Sequence, residues 1–524
     1  MPQVSAGPKI AMIGDVGWAG LYHLGDEAMT EAAIKAMQDR GVTDITLIAA
    51  EARPARERYG VKAIDRLGFG PRWSRTKLDD RYRTLVADIE NDFGSLPEND
   101  PAHAILSLLR AADAVLIAGG GNITSRYLYH VYERSVLVKI AKEARKPVFL
   151  TSQTIGPSID DDHRGIIAEI LEGSQMVAAR ENHTFELIND LTQGRAPAYR
   201  SVDDAFLLKA TEADHQWSAS LDLDEGYAVA SVSPHIANAF WAKDFYYQQM
   251  AEILDAVANQ MGQEILLIPH AGSPLPDDEK HDQLSHQQVV SLSTSGRLRP
   301  LPVISATQSL AIMAKATMAI STRYHPIVLG QRVGIPTISI GMDPYSFVRM
   351  HGAQQNFGTQ ALHLPAKRAT PETVASMAQQ LTLQRQKFVS HIDAIKKTRE
   401  EESSRWWDTL VEQIKAPSDI PKLSFAKVDA LHLDHVPMIS RCEFDAYNEF
   451  SVVTKSLQVE SNARIRAEKS AAQAKRDRDA LSVAKRQSDA ESRSLREELR
   501  AANSRKVVRI ADTLGRLVRS FVRR

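Results

Sequence analysis

The apolar positions of this chain fall into short runs separated by stretches with helical spacing. Lys9–Gly14 reads as a first buried strand, a Gly-rich turn follows, and Asp26–Gln38 has the spacing of a helix. Asp44–Ala49 is a second strand, and Ala114–Ala118 is another that runs straight into Gly119-Gly120-Gly121-Asn122. Tyr132–Glu143 is helical, and Val148–Thr151 and Met176–Arg180 are further strands. Strands alternating with helices predict a mostly parallel, doubly wound α/β sheet. Within this half Arg53–Pro101 is charged, carries several aromatics and resists assignment; it reads as an excursion over the active face.

The pattern then starts again. Tyr227–Ser233, Glu264–Pro269, Pro302–Ile304, Met318–Ser321 and Thr337–Ile340 are apolar runs spaced by helical stretches, with the join near Glu212–Glu225. Two Rossmann-like halves facing each other form a cleft, the usual place for a ligand. Pro371–Gln413 is helical and reads as packing back across both halves. The boundaries are 1–212 and 213–365 for the two Rossmann-like domains, 366–416 for the helical return, 417–449 for a linker, 450–503 for a long charged helix and 504–524 for a basic amphipathic helix. In the long helix Ala467, Ala474, Leu481 and Leu495 keep one heptad register that Ser488 interrupts. A coiled-coil homodimer and a solvated single helix both fit. In the last segment Val507, Ile510, Leu514, Leu517, Val518 and Phe521 form one apolar stripe among Arg505, Lys506, Arg509, Arg516, Arg519, Arg523 and Arg524. A cationic helix of this kind suits an anionic membrane surface, with an oligomerisation helix as the alternative.

Composition acts mainly by exclusion. A net charge of -1 gives no general argument for nucleic acid. The one cysteine, Cys442, forms no internal disulfide, which fits a reducing cytosol. No run approaches the roughly 18 apolar residues of a membrane span, and the N-terminus lacks a signal-peptide layout. The expected location is cytoplasmic, peripheral at the inner face of the membrane if the basic helix docks there.

Candidate chemistry sits at strand ends. Ser321-Thr322-Arg323-Tyr324-His325 follows a short apolar run, where an open α/β sheet places ligand-binding groups. Arginine supplies a permanent forked cation, and histidine moves protons near neutral pH. The triple glycine allows close backbone approach to an anion, or is only a tight turn. Asp26 is placed to cap a helix or to serve a site. Arg180 reads as a ligand cation or a surface ion pair, Asp203 and Asp204 as turn acids or ligands, and His270 as a cleft group or a sheet-edge cap. The spacing Gly14, Gly17, Gly20 is not a dinucleotide fingerprint, and no metal set with zinc spacing occurs, so no cofactor is expected.

In order, Leu24-Gly25-Asp26-Glu27-Ala28, Val115-Leu116-Ile117-Ala118-Gly119-Gly120-Gly121-Asn122, Gln153-Thr154-Ile155-Gly156-Pro157, Ala179-Arg180-Glu181, Leu267-Ile268-Pro269-His270 and Ser321-Thr322-Arg323-Tyr324-His325 resemble the polysaccharide pyruvyl transferase family, over roughly Lys9–Leu364. The resemblance implies a GT-B-like architecture and transfer of a pyruvyl group from phosphoenolpyruvate to a sugar diol of a cell-surface glycan or its precursor, giving a ketal. It implies Arg180 and Arg323 as the donor's cationic partners and His325 as the acid/base. It also implies Asp26, Gly119, Gly120, Gly121, Asn122, Gln153, His270, Ser321 and Arg349 around the substrates. One departure stands out: Met342-Asp343-Pro344-Tyr345 places Tyr345 where the family commonly has lysine, leaving Arg349 or Arg332 to replace that cation. The alternatives are a GT-B-like enzyme using a nucleotide sugar and a non-catalytic scaffold that assembles through its tail.

Overall fold

The computed structural model describes residues 7–223, 226–234, 241–434 and 436, and in the C-terminal stretch 478, 485, 487, 491–506 and 509–516. The chain divides into two compact units, Met1–Asp445 and Ala446–Arg524.

The first unit holds two parallel sheets. The first is 8-stranded. Its strands run in the order Lys62–Asp65, Asp44–Ala49, Lys9–Ile13, Ala114–Ile117, Val148–Ile155, Met176–Ala179 and Ala198–Arg200, and Gly120–Ile123 pairs along the far end of Val148–Ile155. The second is 6-stranded and runs Leu298–Pro300, Ile265–Leu267, Ala228–Ser231, Ala319–Ser321, Thr337–Gly341 and His363–Pro365. Strands such as Ala114–Ile117 and Ala319–Ser321 are buried throughout, because helices cover both faces of a parallel sheet. That is why they read as continuous apolar runs.

The halves are joined by more than a linker. Tyr22–His23 pairs antiparallel with Ala271–Gly272 of the other half, and the Leu24 amide donates to the His270 carbonyl at 2.9 Å. Helix Leu24–Gln38 belongs to the first half by sequence, yet Leu24, Ala28, Met29 and Ala32 are buried in the core of the second. Helix Pro371–Leu383 packs on Lys243–Met261, and helix Arg385–Lys415 returns to bury Trp406, Trp407 and Leu410 against Ile10, Met12 and Phe149 of the first half.

Three sequence expectations are corrected. Arg53–Pro101 is not an excursion over the active face: it forms helix Ala52–Tyr59, edge strand Lys62–Asp65 and helix Arg75–Asp88. Its charges obscured this by pairing locally, as in Arg53–Glu57 and Arg75–Asp79. The strand expected at Pro302–Ile304 lies earlier, at Leu298–Pro300, where it pairs with Ile265–Leu267. Asp26 is not an N-cap, since the helix begins at Leu24 behind His23. In the second unit 491–506 and 509–516 are helical, with Leu495, Leu499, Ile510 and Leu514 exposed. Residues 437–477 and 517–524, including Cys442, Ala467, Ala474, Leu517, Val518 and Phe521, lie outside the described residues, as do Leu481, Ser488 and Val507. Among the described residues no helix is long and apolar enough to cross a membrane.

Candidate active site

The second half brings its chemistry to the end of strand Ala319–Ser321, where the chain turns into helix His325–Val333. The hydroxyls here hold the turn: Ser321 Oγ accepts from the Arg323 amide at 2.8 Å, and Thr322 Oγ1 accepts from the Ser233 amide at 2.9 Å. Ser321 is therefore occupied as a scaffold.

His325 lies against Gly25, and a Cβ on Gly25 would overlap its imidazole. The two motifs, distant in sequence, are face to face because one of them lacks a side chain there. His325 Nε2 stands 3.6 Å from Asp203 Oδ2, and the same oxygen accepts from Arg180 NH1 at 2.6 Å. Burial pushes the Asp203 carboxyl up, but Arg180 and His325 outweigh it and hold it below the usual carboxylate range. An ionised Asp203 thus ties the histidine of one half to the arginine of the other.

Arg180 is 1% exposed, so it is no surface ion pair. Its Nε donates to Thr154 Oγ1 at 2.7 Å and to Glu181 Oε1 at 3.0 Å, and its guanidinium lies 4.4 Å from the Tyr324 ring centre. The NH2 faces Gly121. A Cβ there would stand 3.1 Å from Arg180 NH2, 3.1 Å from Arg349 NH1 and 3.0 Å from Tyr345 Oη. Two guanidiniums and a phenol therefore close in around Gly121, a cationic grouping suited to a small anion. Tyr345 donates to the Gly121 carbonyl, and the Arg349 guanidinium lies 3.8 Å from its ring centre. Arg126, from the first half, bonds Asp343 at 3.2 Å and flanks the same ring. Arg332 is engaged elsewhere, with the Leu208 carbonyl and Glu400.

Other expected residues have different places. Arg323 forks onto Asp282 of its own half, and Asp282 in turn accepts from the amides of His270 and Ala271 at 3.0 Å each. Arg323 is thus held by Asp282 in its own half, as Arg180 is held by Asp203 and Glu181. The charge of Arg323 is met by a buried carboxylate. His270 is buried, and burial, with Arg323, His286 and His325 nearby, drives its pKa down to about 3 against the pull of Asp282. It is a neutral ring and carries no charge to a substrate. Gln153 is also internal: its amide donates to the carbonyls of Ala118 and Thr151 at 2.8 Å each, fixing the strand that leads to the glycines. Gly119 makes room for Ser152, and Asn122 packs beside Gly120. No helix starts at the triple glycine, since Gly120–Ile123 is a strand. These glycines supply space, and helix-end amides are not what faces the pocket. Asp26 faces His23, with Oδ2 3.5 Å from Nδ1.

The residues that sequence reasoning undervalued are Asp203, read as a turn acid, and Tyr324, Asp282, Arg126 and His23. The signal for Asp203 was its context: two acids between Val202 and Ala205-Phe206 are buried, and buried acids have partners.

A family model described as polysaccharide pyruvyl transferase matches residues 23–344, more than half of the chain. No curated protein matches the sequence. Among solved structures, a putative UDP-N-acetylglucosamine 2-epimerase from Listeria monocytogenes is similar with a TM-score of 0.54 at 11% identity, covering 80% of this chain and 100% of that one. The S. aureus MnaA–UDP structure gives 0.52 at 10% identity, covering 81% and 100%. At such identities the likeness is one of fold, and the fold is of the GT-B type. The matched region runs through both halves, from His23 and Gly25 to His325 and Asp343, and the chain belongs to the polysaccharide pyruvyl transferase family.

Proposed function

We propose that this protein moves a pyruvyl group from phosphoenolpyruvate to two hydroxyls of one sugar of a glycan or glycan precursor, forming a cyclic ketal. The observation that carries this reading is the convergence of Arg180, Arg349 and Tyr345 on Gly121, with His325 3.6 Å from the Asp203 carboxylate that Arg180 also contacts. Phosphoenolpyruvate is small and carries a carboxylate and a phosphate on neighbouring atoms, so two guanidiniums in one small pocket suit it. The reaction consumes the donor and two O–H bonds. Two C–O bonds form at donor C2 and the C2–O bond to phosphate breaks. One hydroxyl proton ends on C3, turning CH2 into CH3, and the other ends on the departing phosphate. No redox partner is required. Arg180 and Arg349 hold the donor through charge-assisted hydrogen bonds, each contributing roughly 1.5–3 kcal/mol. His325, anchored by an ionised Asp203, handles a proton next to that pocket.

The test is incubation of purified protein with phosphoenolpyruvate and nucleotide-linked or lipid-linked sugars, with phosphate release and acceptor mass as readouts. A gain of the pyruvyl ketal mass with one phosphate per acceptor is expected. Phosphoenolpyruvate left intact across acceptors, with the protein folded, would sink the reading.

One observation favours a second reading. The family resemblance implies a lysine where Tyr345 stands, and S. aureus MnaA, of similar fold, was solved with UDP. A nucleotide sugar is then the donor, and UDP would protect the protein against thermal unfolding where phosphoenolpyruvate would not.

A further inference from the structure

The ketal stoichiometry poses a question that His325 alone does not answer. Two hydroxyl protons leave the acceptor by separate steps and finish on different donor atoms. The His325 ring rests on Gly25 on one side, has Tyr324 5.1 Å away centre to centre, and meets Asp203 at its Nε2. Through Asp203 it belongs to the Arg180 end of the site.

Two residues before Gly25 stands a second histidine with a carboxylate. His23 Nδ1 is 3.5 Å from Asp26 Oδ2, and a third of its side chain is exposed. Its Nε2 has no hydrogen-bond partner among the described residues. The ring lies at the junction of the halves, 6.2 Å from the ring of His281. His281 itself carries a φ of 50°, an uncommon conformation for a residue with a Cβ, at the start of helix Asp282–Leu292. The charged and titratable groups facing His23 are Asp26, Asp15, Arg323 and His281. A carboxylate beside one imidazole nitrogen, with the other nitrogen buried and unpartnered among the described residues, is the arrangement of an oriented proton carrier.

We propose that His23, oriented by Asp26, is a second proton carrier of this site and serves the first of the two additions. This rests on the pyruvyl-transfer reading. In the first addition an acceptor oxygen bonds to donor C2. Its proton passes to His23 Nε2 and from there to C3, which becomes a methyl group. In the second, the other hydroxyl oxygen bonds to C2 as the C2–O bond to phosphate breaks, and its proton passes through His325 to the phosphate. Each imidazole ends in its starting state. His281 and Arg323 form the neighbouring wall from the second half, which places the acceptor on the side of Gly25 away from the arginine pair.

The experiment uses the full chain with phosphoenolpyruvate and a turned-over acceptor in D2O. Two quantities are followed: deuterium entering C3 of recovered phosphoenolpyruvate, which reports reversible first addition, and phosphate release. His325→Gln is expected to keep the exchange while phosphate release falls about 100-fold or more. His23→Gln is expected to lose both to a similar degree. Asp26→Asn, which preserves shape, should lower the rate and move the acidic limb of kcat/KM to lower pH. The reason is that His23 must be neutral to accept a proton, and Asp26 is what holds its pKa above the ordinary value against burial. The Asp26 variant also serves if His23→Gln fails to fold. Exchange at the wild-type rate in His23→Gln, or an unmoved limb in Asp26→Asn, overturns the proposal and leaves pyruvyl transfer standing. Absence of both exchange and phosphate release in the wild type overturns the two together.

Discussion

Two absent side chains shape this site, at Gly25 and at Gly121. The first makes a direct prediction. Gly25→Ala places a methyl group into the His325 ring and displaces it, so kcat should fall about 100-fold, as for a misplaced catalytic group, while the melting temperature changes little. His325→Ala should abolish turnover. Near-normal kcat in the alanine variant at 25 would show that His325 does not work from the position described. At the other end, Arg349 faces the Gly121 pocket while Arg332 is committed to Leu208 and Glu400. Arg349→Ala should therefore raise the donor KM well above the effect of Arg332→Ala, whose cost should appear in thermal stability. The reverse order would remove Arg349 from the donor. Asp204 gives a third test. Burial lifts its carboxyl from 3.8 to about 7, although hydrogen bonds from Thr151 and Ser152 pull the other way. The unfolded chain releases this proton near pH 4 and the folded chain near pH 7, so unfolding releases a proton between those values. The contribution to stability is complete below pH 4 and is lost as pH rises toward 7. Asp204→Asn removes this dependence, so the wild type should lose stability relative to the variant across pH 4–7, by roughly 4 kcal/mol at most. A constant difference in chemical denaturation across that range would refute the assignment.

At the scale of elements, what was legible was what burial writes into a short window. Asp44–Ala49 and Thr337–Gly341 are apolar because both sheet faces are covered, and the sequence spacing found both. Strand Lys62–Asp65 escaped because an edge strand exposes its ends and borrows Lys62 and Asp65 for local pairs. Of the candidate site, the sequence order picked out Arg180, His325, Gly25 and Gly121, which the fold brings near one another. Its pairings were not legible, because Arg323–Asp282 and Asp203–Arg180 depend on distances between elements that no local pattern carries. Helix Pro344–Gln355 shows the same limit. A Cβ on Gly352 would fall 2.6 Å from the Glu181 Cβ, so this helix of the second half approaches the first at a point where only glycine fits. Gly352→Val should push the helix away, lower the melting temperature by several degrees and raise the donor KM through Tyr345 and Arg349, which the helix carries. Unchanged donor KM in a folded variant would mean that the helix position is set elsewhere.

At the scale of the whole molecule, the catalytic unit and the C-terminal helices make separate claims. Arg509 and Arg516 share the helical stretch 509–516 with Ile510 and Leu514, which are more than half exposed, and Arg505 and Lys506 end the stretch 491–506. We propose that this tail docks on an acidic membrane surface, where apolar burial and charge attraction act together. Full-length protein should float with acidic liposomes and a truncation ending at Ser504 should not. Equal behaviour of the two would remove the tail from that role. Within the first unit, the ladder between Tyr22–His23 and Ala271–Gly272 has a mechanical consequence. Hydrogen bonds between the halves pin that edge, so His23 and Asp26 sit where backbone of the first half is tied to backbone of the second. Arg180 and Tyr345, by contrast, are met across the halves through side chains: Tyr345 donates to the Gly121 carbonyl and Asn356 to that of Arg180.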